Sequence, residues 1–285
     1  MSLPPFLAPE QLPALLSGDD PPALVDVRWS LDGQEGRHTY LEGHLPGAVF
    51  ADLDVDLAGP PTPAGGRHPL PDPAAFAAVL GRLGIGDHTP VVAYDQGGGA
   101  IAARLVWMLR ILGREAAVLS GGLAAWEGPL ERGDVQRASA WSTPRPWPSD
   151  AVADADRVAA TAASGGIVLD ARDPERYRGD EEPVDARAGH VPGAVNLPHR
   201  RNLGPDGRVL SSPGLRARYA EVGVGEDERV DDAVVYCGSG VTACHDALAL
   251  EAAGLGRPRV FVGSWSAWSA DPERPVATGP DPGGD

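Results

Sequence analysis

Ala233-Val234-Val235-Tyr236-Cys237-Gly238-Ser239-Gly240-Val241-Thr242 reads as a strand that delivers a cysteine onto a short Gly/Ser loop, and Ala243 to Leu250 then continue as a helix. A strand, a tight loop and a helix in immediate succession is the unit from which parallel sheets are built. At the end of such a strand, loop amides and the first helical turn point at the side chain. That favours thiolate over thiol, and the thiolate is the nucleophile. Gly238 and Gly240 let the backbone curl around the sulfur. Cys237 is therefore the candidate nucleophile. Ser239 offers a hydroxyl to substrate or leaving group, or else satisfies the loop backbone. Thr242 is expected to cap the following helix, and Cys244 to be a packed, inert thiol.

Outward from this loop the chain repeats itself. Val25-Asp26-Val27-Arg28 returns as Leu169-Asp170-Ala171-Arg172, and Gly43-His44-Leu45-Pro46-Gly47-Ala48-Val49 returns as Gly189-His190-Val191-Pro192-Gly193-Ala194-Val195. Val92-Ala93-Tyr94-Asp95 returns as Val234-Val235-Tyr236-Cys237, and the segment around Trp126 returns around Trp268. Four blocks in one order, about 145 residues apart, indicate duplication of a whole domain. Domains are expected over 1–138 and 152–285. The proline-rich stretch Trp141-Ser142-Thr143-Pro144-Arg145-Pro146-Trp147-Pro148 lies in a 139–151 linker, extended over both halves. Strands are expected near 23–27, 90–94 and 116–119, then 167–170, 232–236 and 259–262. Helices are expected near 73–83, 101–112, 213–222 and 243–253. The class is α/β: tandem parallel sheets, each with helices on both faces and its site beyond the carboxyl ends of the strands. Asp95 takes the place of Cys237 in the first half.

With 285 residues there is room for two cores. The formal charge is −16 and the chain has no lysine, which disfavours nucleic acid and anionic membranes as partners. No apolar run approaches the roughly 20 residues of a membrane span. Met1-Ser2-Leu3-Pro4-Pro5 lacks the basic-then-apolar order of a secretory signal, and Cys237 and Cys244 form no CxxC pair, so a reducing cytoplasm is the expected setting. A phosphate-binding cysteine loop carries arginine six residues on, where Ala243 stands here. Gly97-Gly98-Gly99 lacks the Lys-Ser/Thr of a nucleotide loop. No cofactor and no metal are expected.

On the Gly-His-x-Pro-Gly-Ala element in each half, on Gly263-Ser264-Trp265-Ser266-Ala267-Trp268 and on the cysteine loop, the chain resembles two-domain rhodanese-fold sulfurtransferases over nearly its whole length. The loop is similar to that of 3-mercaptopyruvate sulfurtransferases, whereas thiosulfate-using rhodaneses more often carry Arg and Lys after the cysteine. The resemblance implies an inactive first domain, consistent with Asp95, and a Cys237 persulfide that passes sulfur to cyanide, a thiol or thioredoxin. It implies that Arg176 binds the donor carboxylate, with Gly238, Gly240, Val241 and Thr242 around the substrate. The family's second arginine falls on Asp185, a departure for which Arg187 is the candidate replacement. It also implies a serine–histidine–acid group of Ser239, His44 and either Asp32 or Glu35, with His44 alternatively closing its turn as His190 is expected to do. A tyrosine position of the family falls on Ala100. A thiosulfate donor, and a non-catalytic sulfur-carrying or docking module, are the alternative functions.

Overall fold

The computed structural model describes residues 3–29, 35–225 and 230–283. The chain divides into two compact units. The first comprises Met1–Gly59, Pro71–Trp147 and Leu203–Val209, and the second Pro60–Leu70, Pro148–Asn202 and Leu210–Asp285. Each unit thus takes in a short segment from the opposite half of the sequence, which the repeat pattern did not foretell. The chain leaves the first unit between Trp147 and Pro148, inside the expected linker. From Pro148 on the linker is bonded within the second unit, where Val260 N–H bonds the Ala151 carbonyl and Arg259 the Ser149 carbonyl, and up to Trp147 it is bonded within the first. Ala140 N–H bonds Gly81, Thr143 bonds Asp87, Arg145 bonds the Leu112 carbonyl and Trp147 bonds the Pro71 carbonyl, all within the first unit.

In the first unit, β1 (Phe6–Leu7), β2 (Ala23–Asp26), β3 (Val49–Phe50), β4 (Val91–Tyr94) and β5 (Ala116–Leu119) form one sheet in the order β1-β5-β4-β2-β3. Helices α1 (Leu12–Leu16), α2 (Glu35–Glu42), α3 (Leu53–Asp56), α4 (Pro73–Arg82) and α5 (Ala102–Ile111) intervene. The second unit repeats the plan. Strands β6 (Val152–Ala153), β7 (Val168–Asp170), β8 (Val195–Asn196), β9 (Val234–Tyr236) and β10 (Arg259–Phe261) pair in the order β6-β10-β9-β7-β8. Between and after them come α6 (Ala155–Ala163), α7 (Pro174–Arg178), α8 (Ser212–Ala220), α9 (Thr242–Ala253) and α10 (Ser264–Ala270). Every pairing is parallel. Such sheets bury both faces, so their strands read as continuous apolar runs. Those runs mark β2, β4, β5, β7, β9 and β10 in the sequence, whereas the two-residue edge strands are too short to show a pattern.

Local chemistry sets the helix ends. Asp72 and Asp154 cap α4 and α6 through their carboxylates, and α9 stops at Gly254 with φ +73°. One core packs Val168, Val234, Tyr236 and Phe261 against Trp265 and Trp268 of α10, and its counterpart packs Leu24, Val92, Tyr94 and Leu119.

The repeated Asp-x-Arg closes the two strands β2 and β7 in one way. Arg28 bonds both oxygens of the Asp26 carboxylate and the Gly43 carbonyl, and Arg172 does the same with Asp170 and Gly189. Both pairs are buried. Removing one partner leaves a charge in low dielectric, the costliest way to break such a pair. Arg28→Ala is therefore expected to lower the unfolding free energy by about 3–5 kcal/mol in urea denaturation, because Asp26 stays buried and unpaired.

Candidate active site

Asp170 and Tyr236 are register partners at the carboxyl ends of β7 and β9, and Cys237 is the next residue after that edge. Burial pushes the Tyr236 phenol well above its usual range, and its oxygen accepts the Val191 N–H. The Arg172 guanidinium lies over the Trp265 ring at 4.6 Å, joining the end of β7 to α10.

The cysteine loop is held by the first turn of α10. Cys237 N–H bonds Ser264 Oγ at 3.1 Å, while Trp265 N–H bonds the Cys237 carbonyl and Ser266 N–H the Gly238 carbonyl, both at 2.9 Å. Ser264 Oγ gives its one proton to the Phe261 carbonyl at 2.8 Å. Among the described residues Ser264 is the one non-glycine in the left-handed region, at φ +50°, and it is fully buried. Such backbone strain costs of order 1–3 kcal/mol and persists where surrounding bonds over-determine it. Gly240 is needed at φ +75°, where a Cβ would meet the Val262 carbonyl oxygen at 2.3 Å. Its N–H points at Cys237 Sγ, 3.1 Å away. Cys237 is 2% exposed, and the sulfur sits near the amino end of α9, where the helix dipole favours negative charge.

Cations gather over Gly238. A Cβ there would lie 3.1 Å from Arg176 Nη1 and 3.2 Å from Arg67 Nη2. Arg176, in the last turn of α7, donates to Glu182 Oε1 at 2.7 Å and to Asp185 Oδ2 at 3.0 Å, and not to Glu175 or Asp180. Arg67 donates to the other Asp185 oxygen. Burial raises the Asp185 carboxyl above its usual range against the pull of Arg67 and Arg176. Glu182 is also penalised by burial, yet hydrogen bonds from Arg176 and the Asp185 and Val184 amides bring it below its usual range.

The histidine that meets the loop is His68. Its Nδ1 lies 2.8 Å from Ser239 Oγ. Arg67 and His68 come from the Pro60–Leu70 segment that joins the second unit, pinned where Arg67 N–H bonds Ser266 Oγ. At Gly66 a Cβ would meet the Gly263 carbonyl oxygen at 2.4 Å, so only glycine lets the two backbones approach. Sequence reading missed both residues. The available signal was Gly66-Arg67 matching Gly207-Arg208, the latter in the segment that joins the first unit.

His44 does not take this part. It is fully buried, its Nδ1 is 2.8 Å from the Tyr40 carbonyl and its ring stacks on Tyr40, and His190 repeats both contacts with Tyr177. The Gly-His-x-Pro-Gly histidine closes its own turn. Arg187 is likewise structural. Its guanidinium donates to the carbonyls of Trp268, Ser269, Asp271 and Arg274, and a fork committed to four carbonyls is unavailable to a substrate. Thr242 does not cap α9. It is the first helical residue, and Val241 holds the cap position without a side-chain bond. Cys244 donates to the Gly240 carbonyl at 3.3 Å. Asp32 and the side chain of Glu35 lie outside the described residues.

In the first unit Asp95 follows β4 as Cys237 follows β9. Its carboxylate accepts the N–H groups of Gly97, Gly99, Ile101 and Ala102 at 2.9–3.3 Å. Burial pushes the Asp95 carboxyl up against those four donors. The amide nest at the head of α5 is filled from within by the chain's own anion.

No described helix is long and apolar enough to cross a membrane. The profile of the rhodanese-like domain matches residues 8–129 and again 154–271. A Pseudomonas aeruginosa protein bearing a 3-mercaptopyruvate sulfurtransferase name is 45% identical, with 98% of this chain and all of that protein aligned. One from Mycobacterium tuberculosis bearing a thiosulfate sulfurtransferase name, SseB, is 42% identical over 94% of this chain and 95% of its own. The solved structure of SseA, a 3-mercaptopyruvate sulfurtransferase from Escherichia coli, superposes with a TM-score of 0.78 at 30% identity, covering 93% of this chain and all of that one. A sheet order repeated in both units, a cysteine loop at the end of β9, the two profile matches and near-full-length relatives agree: the chain belongs to the rhodanese-like domain family.

Proposed function

We propose that the protein is a sulfurtransferase that takes sulfur from 3-mercaptopyruvate onto Cys237 and hands it to a thiophilic acceptor. The observation that carries this reading is the Gly240 N–H aimed at Cys237 Sγ, with two guanidinium groups above the neighbouring Gly238. The guanidinium of Arg176 suits a planar carboxylate, which it can bind through both oxygens. The Cys237 thiolate attacks the donor sulfur, an S–S bond forms and the C–S bond breaks, and the pyruvate enolate leaves. The proton on the donor thiol moves to the enolate carbon, giving pyruvate and a persulfide anion. Ser239 and His68, hydrogen-bonded to each other, form the proton path in this reading, the part first expected of His44. Cyanide, a thiol or thioredoxin then takes the outer sulfur as the S–S bond breaks, and with cyanide the products are thiocyanate and the Cys237 thiolate. The split into two transfers is covalent catalysis, and the loop amides stabilise the charged intermediate.

The first unit is catalytically silent in this reading, since a carboxylate cannot carry a transferable sulfur and Asp95 already fills its nest. Two free thiols, Cys237 and Cys244, suit a reducing cytoplasm. A thiosulfate donor is the second reading, favoured by the SseB name and by the presence of two arginines near the loop.

Three kinetic experiments test these assignments, with cyanide as acceptor. kcat/KM is expected to be higher for 3-mercaptopyruvate than for thiosulfate, and a strong preference for thiosulfate would reverse the choice of donor. Arg176→Ala is expected to raise KM for the carboxylate donor with little change in kcat, since it removes binding common to ground and transition states. Ser239→Ala and His68→Ala are each expected to lower kcat with 3-mercaptopyruvate by about 10²–10⁴-fold. Thiosulfate turnover should fall far less, because its outer sulfur carries no proton to move. Equal losses with both donors would remove the proton path.

A further inference from the structure

Arg67 and Arg176 converge on one carboxylate, Asp185, whose side chain is 4% exposed, while their own are 33% and 21% exposed. Glu182 is equally buried and joins Arg176 to Arg172, which in turn holds Asp170. Three guanidinium groups therefore face three carboxylates beside the cysteine loop, and the cluster has no net charge. An anion arriving over Gly238 meets guanidinium groups already committed to internal carboxylates.

We infer that Asp185 is a specificity-determining residue that masks Arg67 and Arg176, so that the place over Gly238 admits a monoanionic donor and disfavours a dianionic one. The inference rests on the reading of these arginines as the donor site. Asp185 supplies from within the oxygens that an anionic ligand would offer, one to each arginine. A monoanion can share the Arg176 fork with little repulsion. A dianion feels the Asp185 charge twice over, and Coulomb energy scales with the product of charges. The same arrangement accounts for an acid at the position where the sequence comparison led to an expected arginine. The second cation comes instead from Arg67, in the segment contributed by the other half of the chain.

The test is anion binding, which needs no turnover. Pyruvate and sulfate are titrated calorimetrically into the full-length protein and into Asp185→Asn, which keeps the shape and removes the charge. At partly exposed sites one charge changes affinity by about fivefold for a monoanion and about twenty-five-fold for a dianion. Asp185→Asn should therefore tighten pyruvate binding about fivefold and sulfate binding about twenty-five-fold. Asp185→Ser serves as a second variant should the asparagine protein fail to fold. Unchanged affinities would overturn the inference, and so would weaker binding of both anions, which would make Asp185 a support for the arginines. The parent reading fails separately, if neither donor gives up sulfur to cyanide in the unaltered protein.

Discussion

The cysteine loop takes its shape from the turn that follows β10, and the rest of the site depends on that constraint. Ser264 occupies a left-handed backbone position that costs free energy, and in return its hydroxyl accepts the Cys237 N–H. The next two amides hold the Cys237 and Gly238 carbonyls. With those groups satisfied by protein, the loop's curvature is fixed from within, and the Gly240 amide is directed at the sulfur. Preorganised N–H groups cost no reorganisation when charge develops on a reacting atom. The Gly-Ser-Trp-Ser-Ala-Trp segment thus shapes the cysteine loop from the head of α10, through the Ser264 hydroxyl and two backbone amides.

The two units show one scaffold used in two ways. In each, a strand ends beside a buried Asp-Arg pair and feeds a loop whose amides favour an anion. In the first unit that anion is the Asp95 carboxylate, permanently attached and bonded four times. In the second the Cys237 sulfur takes the corresponding place, under the Gly240 N–H.

The tandem α/β plan is legible in the chain because parallel strands buried on both faces leave unbroken apolar runs, and because four motifs recur in order. Cys237 and Ser239 stand out in the chain because a strand-loop-helix unit presents them, whereas Arg176 is singled out only by the family resemblance. His68 and Arg67 are not legible, since they reach the loop through a segment that packs with the other half of the chain, a long-range event with no periodic signature. His44 misleads because a histidine in a repeated motif invites a catalytic reading, although its partner His190 makes the same contacts to a tyrosine carbonyl and ring. Arg187 misleads by proximity in sequence. A charged side chain two residues from the expected position is still free to turn toward backbone carbonyls, as this one does.

The central physical claim is that the Cys237 sulfur, held under the Gly240 amide, accepts a second sulfur atom and keeps it as a stabilised anion. Intact-protein mass spectrometry after brief exposure to 3-mercaptopyruvate, with peptide mapping, addresses it directly. A gain of about 32 Da (one sulfur) on the peptide bearing Cys237, absent in Cys237→Ser and erased by cyanide, is the expected result for covalent catalysis. A protein that turns over donor with no added mass at Cys237, or with the mass on Cys244, would contradict it.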